Sequence, residues 1–172
     1  AGRFDPLERL TKLRSLFFPV VGRTLGRRQM EVDSQAAIFS EWRTFRENVR
    51  WTRGRVHFAT IHMVGSQNGT SEFEGRTDRN DAEVVQRTRA ATVWLRYVFA
   101  EATEDAAGLF LTAHASMGLE RRNDEDPEVY REFLSVLREE TIRFGRPVVL
   151  AHGDSHYFRV DKPLRDAETR QR

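Results

Sequence analysis

Apolar and polar positions along this chain recur with two periods, and the switches between them mark its elements. The first period is helical. Asp5-Pro6 supplies an N-cap and a first-turn proline, and Leu7, Leu10, Leu13 or Arg14, and Phe17 follow at helical spacing until Pro19. Phe18, just before that proline, is biased toward extended geometry. Residues 20–26 read as a loop and 29–32 as a short strand. Residues 33–48 keep neither period and read as a loop whose aromatics, Phe39, Trp42 and Phe45, pack onto the domain.

Two strands follow, 49–52 and 55–64, separated by the turn signal Arg53-Gly54, so a hairpin is expected. The second, RVHFATIHMV, alternates in part and is largely apolar, which predicts a central strand. GSQNG at 65–69 is then a tight polar turn, and 70–80 a polar loop. The longest helix is predicted over 81–104, opening at Asn80-Asp81. Val84, Thr88, Ala91, Leu95, Val98 and Ala102 fall on one face of it, widened by Trp94 and Phe99. Glu83, Arg87, Arg89 and Glu101 fall on the opposite face.

AGLFLT at 107–112 reads as a strand with His114 just beyond it, and 117–126 as a charged surface excursion. Asp126-Pro127 caps a helix running to about residue 143, its apolar face being Val129, Phe133, Val136 or Leu137, and Thr141. Gly145 suits the position just past its end. PVVLA at 147–151 reads as a buried strand, 157–160 as a short extended piece, and 165–172 as a disordered tail. The order helix, strands, helix, strand, helix, strand predicts an α/β layered fold in a single domain over 1–164.

Composition changes this picture little. Apolar residues make up 39% and charged residues 31%, an ordinary balance for a globular chain with a core. No apolar run approaches the roughly 18 residues of a membrane span. Cysteine is absent, which removes disulfides and thiolate chemistry and leaves the redox compartment open. Charges nearly cancel, but the basic side is almost all arginine: Lys12 and Lys162 are the only lysines. Arginine's planar fork suits phosphate, although such abundance also fits a solvated surface.

Chemistry concentrates after the 147–151 strand, in HGDSH. His152, Asp154 and His156 are three potential metal ligands around the flexible Gly153. Two imidazoles and a carboxylate suit Zn, Mn or Fe better than Ca. The spacing equally fits a loop whose histidines cap backbone groups. A polar loop at the C-terminal end of a strand is where open α/β sheets carry their sites. By the same rule His62, Ser66 and Asn68, at the end of the central strand, are candidate substrate contacts. They fit a carbonyl-tethered strand histidine and a left-handed turn asparagine as well.

The run HGDSHYFRVDKPL resembles the last motif of the calcineurin-like metallophosphoesterases, in which a strand leads into Gly-His-x-His. The matching tetrad is Gly153-Asp154-Ser155-His156, with Asp154 where the family has its first histidine. Together with RSLFFPVVGRTLG and VRWTRGRVHFATIHMVGSQNG, it resembles a mostly uncharacterised bacterial branch of that family.

The resemblance implies the C-terminal half of an αββα sandwich and a two-metal phosphoester hydrolase. Two divalent ions (Mn, Fe or Zn) would generate hydroxide and clamp the phosphoryl oxygens of a phosphoester substrate. It makes His114 the match for the family's fourth motif. His114 and His156 become ligands, with His152 or Asp154 as a further one. The family's earlier motifs, Asp-x-His, Gly-Asp-x-x-Asp and Gly-Asn-His-Asp/Glu, do not occur here. The chain is therefore expected to be incomplete as an enzyme and to show little turnover alone.

Two other classes stay open: an inactive binding or scaffold module of the same fold, and a nucleic-acid module using Arg43, Arg46, Arg50, Arg53 and Arg55. The compartment and oligomeric state are open too, a secreted or periplasmic full-length form included.

Overall fold

The computed structural model describes residues 5–119 and 127–164. Its central strand is β3 (Val56–Val64), as the apolar pattern predicts. Alternation there is strict. Ala59, Ile61 and Met63 are buried, while Phe58, Thr60, His62 and Val64 are half-buried on the other face. On one side β3 pairs antiparallel with β2 (Val49–Arg53), across a turn in which Gly54 takes φ 60°. β2 in turn pairs antiparallel with the short β1 (Asp33–Ser34). On the other side β3 pairs parallel with β4 (Gly108–His114), and β4 parallel with β5 (Val148–His152). The result is a five-stranded mixed sheet in the order β1-β2-β3-β4-β5, an α/β layered fold as expected.

The crossover from β3 to β4 contains the long helix α4 (Asp78–Asp105), and that from β4 to β5 contains α5 (Glu128–Phe144). The two pack against each other and share one core with the sheet. Trp94, Leu95, Val98 and Phe99 from α4 meet Phe133, Leu134 and Leu137 from α5 over Ile61, Met63, Leu109 and Leu111. Each such buried side chain is worth about 1.5–3 kcal/mol. The Trp94 indole also donates to the Thr60 carbonyl at 3.1 Å, which fixes α4 along β3. On the opposite face Trp51, Phe58 and Phe110 form a half-buried row, with ring centroids 5.4 and 5.6 Å apart.

Several local expectations are corrected. Helix α1 (Pro6–Phe17) opens as expected, with the Asp5 carboxylate accepting from the Leu7 N–H at 2.9 Å, yet none of its residues is buried. Residues 29–32 form no strand; Glu31 makes a single bridge to Arg23. The 33–48 loop instead contains β1, the short helix α2 (Gln35–Ile38) and a 3-10 turn at Ser40–Trp42. The cause is a buried anchor: Gln35 donates to the Ala90 carbonyl at 2.8 Å and accepts from Asn48 at 2.6 Å.

Helix α4 starts three residues earlier than expected. Asn80 is not its cap but reaches back from the first turn, accepting from the Thr77 N–H at 3.0 Å. Arg87 is not on a solvated face; it is 2% exposed. Tyr130 and Leu134 join the buried face of α5, and Gly145 ends it at φ 62°. The strand at 147–151, expected to be buried, is the sheet edge, where Val149 is 48% exposed. Residues 157–160 form no strand. Asp126, most of the 117–126 excursion and the 165–172 tail lie outside the described residues. No described helix is long and apolar enough to cross a membrane.

Candidate functional site

Because β3, β4 and β5 run parallel, their C-terminal ends open on one edge. After β3 the chain enters α3 (Gly65–Gly69), a left-handed turn in which Ser66, Gln67 and Asn68 take φ of 52°, 55° and 57°. Left-handed geometry costs a non-glycine residue about 1–2 kcal/mol each, so the surroundings must hold it. They do so through Asn68, which is buried. Its N–H donates to the Tyr130 hydroxyl at 2.9 Å, and its side-chain amide donates to Thr88 at 2.9 Å. Arg87 donates to its side-chain oxygen at 2.5 Å and to its carbonyl at 2.8 Å. The Tyr130 hydroxyl itself donates to the Val64 carbonyl at 2.7 Å. This clamp is why Arg87 turns inward and why the Tyr130 edge of α5 is buried. Asn68 commits its side chain inside the protein, whereas Ser66 is exposed.

The loops after β4 and β5 meet this turn. The His114 imidazole lies directly over Gly153: a methyl group on that glycine would stand 2.6 Å from Nδ1. The Asp154 carboxylate lies equally close on Gly65, where a methyl would stand 2.1 Å from Oδ2. The His152 Nδ1 and the Ala115 carbonyl are 3.1 Å apart, and the Ser155 hydroxyl is 3.2 Å from that of Ser116. Asp154 and His156 both have positive φ, 78° and 60°. The non-glycine residues with positive φ, among those described, are therefore all on this one edge, in the loops after β3 and β5.

The predicted ligands are thus brought to one rim but not to one point. Among the described residues, no three His, Cys, Asp or Glu side chains are grouped to hold a metal. The sheet supplies the reason. His152 is the register partner of Ala113, which packs toward the helices, whereas His114 pairs with Val64 on the other side of the pleat. His152 also turns its Nδ1 to a backbone carbonyl, and His156 is exposed. The described residues do not by themselves complete a metal centre.

A second cluster stands two residues before Val64. The His62 Nδ1 is 2.5 Å from the Glu47 carboxylate, which also receives Arg14 through Nε at 3.1 Å and Nη2 at 2.6 Å. All three side chains are 15% exposed or less. The carboxylate lies close to Nδ1 but off the direction of a well-aligned N–H bond, and that buried nitrogen has no other partner among the described residues. Burial would push the Glu47 carboxyl up. The contacts with His62 and Arg14 outweigh that and hold it at about 2. The scaffold beneath is rigid: Thr60 donates to the Glu47 carbonyl at 2.6 Å, and the His62 N–H donates to Asn48 at 2.7 Å.

Glu47, Arg14 and Tyr130 escape sequence reading because their partners are distant along the chain. Arg87 has one near partner, Glu83 at 3.1 Å, but its contacts with Asn68 span 19 residues. Tyr130 also senses the edge. Burial raises its phenol first, the Asn68 N–H opposes this, and the charge of Asp154 raises it further. Of the arginines at 43–55, three are tied to neighbours, while Arg53 and Arg55 are exposed. Arg50 is held by Asp33 and Glu101, each at 2.7 Å, while Arg43 donates to the Ser40 carbonyl and Arg46 to that of Phe18. No family model, no curated protein and no solved structure matches the chain, so the geometry of this edge carries the functional reading.

Proposed function

We propose that this edge is part of a phosphoester hydrolase site of the calcineurin-like metallophosphoesterase type. Its described residues are short of donors for the divalent ions, and the chain alone is expected to turn over little substrate. The observation that carries the reading is the seating of His114 on Gly153 beside Asp154 on Gly65. Residues from the family-like HGDSH run and His114 at the end of β4 meet at this rim. Since the described side chains do not complete a metal centre, no reaction step is assigned to them.

A calorimetric titration with Mn²⁺, paired with turnover assays on a generic phosphomonoester and phosphodiester, tests this. Weak Mn²⁺ binding that falls at least about tenfold (about 1.4 kcal/mol) in His114→Ala and in His156→Ala is expected, without robust turnover. Robust turnover by these 172 residues would refute the incompleteness. A second reading, an inactive binding or scaffold module, draws on the tethering of His152 to Ala115. It predicts no tight Mn²⁺ or Zn²⁺ binding in either the parent chain or the variants.

A further inference from the structure

His62 has its Nδ1 buried 2.5 Å from a carboxylate, with no well-aligned hydrogen bond among the described residues. Its strand position puts it on the half-buried face of β3, just before the turn on which Asp154 rests. We propose that Glu47 is a positioning residue that holds the His62 imidazole in one tautomer, with the proton on Nδ1. Nε2 is then left as the proton acceptor of the ring, for an incoming hydroxyl or water. The inference deepens the reading above, because it concerns the same edge.

Three observations support it. Among the described residues, the Glu47 carboxylate is the group that stands against the buried Nδ1, at 2.5 Å. The charge of that carboxylate is already matched by the two-pronged Arg14 guanidinium, itself 5.2 Å over the Phe45 ring. The His62 Nδ1 therefore meets a carboxylate that Arg14 already holds in place. Finally, the His62 backbone is fixed through Asn48 to Gln35 and on to Ala90 of α4, so the ring has a rigid base. A carboxylate that orients an imidazole through one nitrogen leaves the other poised for acid–base or ligand chemistry.

Imidazole ¹⁵N spectra of the histidine-labelled chain at neutral pH test the assignment, with His62→Gln identifying the resonances. The wild-type ring is expected to show a protonated Nδ1 and an unprotonated, accepting Nε2. Glu47→Gln, which keeps a carbonyl acceptor, is expected to preserve this pattern. Glu47→Ala is expected to move the proton to Nε2, the form favoured in water. A purely structural Glu47 would lower the melting temperature in both variants and leave the tautomer in place, which would overturn the proposal. So would a wild-type His62 protonated at Nε2, a result that needs no variant to fold. The Mn²⁺ titration above decides the hydrolase reading separately, since its failure leaves these spectra unchanged.

Discussion

Replacing Glu47 by Gln removes one charge from the buried Arg14–Glu47–His62 cluster while keeping the side chain's size. In the folded chain the carboxyl is held at about 2, against an ordinary value of 4.5. That difference corresponds to stabilisation on the order of 3 kcal/mol when the group is ionised. Removing one partner of a buried pair commonly costs about 3–5 kcal/mol, which agrees in size. Because the folded-state value is depressed, the contribution is fully present above 4.5 and drains away as pH falls toward 2. Set against a total stability of about 5–15 kcal/mol, the variant should fold but melt roughly 6–12 °C lower. Urea denaturation of both proteins across the acid range measures it. The gap between the two is expected to be widest at neutral pH and to close through the 4.5-to-2 window. A gap independent of pH, or no gap, would mean that the carboxylate is not held ionised by its neighbours.

Two further outcomes follow from the edge itself. Gly65→Ala places a methyl 2.1 Å from the Asp154 carboxylate, so that exposed side chain must retreat by roughly 1.4 Å to reach ordinary contact. Stability should change by less than about 1 kcal/mol while Mn²⁺ affinity drops about tenfold, and a large loss of melting temperature would mark the contact as structural instead. Tyr130→Phe strands the Asn68 N–H and the Val64 carbonyl at a cost of about 1–3 kcal/mol. Amide exchange at Asn68 should quicken in that variant; unchanged protection would show that the Tyr130 hydroxyl does not hold the turn.

Features whose causes are local were legible in the sequence. The Asp5-Pro6 helix start, the left-handed Gly145 stop and the left-handed Asn68 each follow from one or two residues and their own backbone preferences. The apolar stripe of α4 and the alternation of β3 were equally plain, because burial repeats at the period of the element. The same patterning made the layered α/β arrangement readable. His114, His152, Asp154 and His156 could be named as candidates, and the parallel strand order does bring them to one rim.

Tertiary structure alone decided how those side chains stand to one another. One step of strand register separates His114 and His152 across the pleat, and no spacing within HGDSH encodes the register of β4 against β5. Arg87 looked like a surface charge because its helical position is polar-facing by period. It is buried because a strained turn 19 residues away needs its guanidinium. Glu47 sat in a stretch without pattern, yet it anchors His62. Hydrogen bonds and ion pairs act through space at about 3 Å, whereas a sequence records neighbours along the chain.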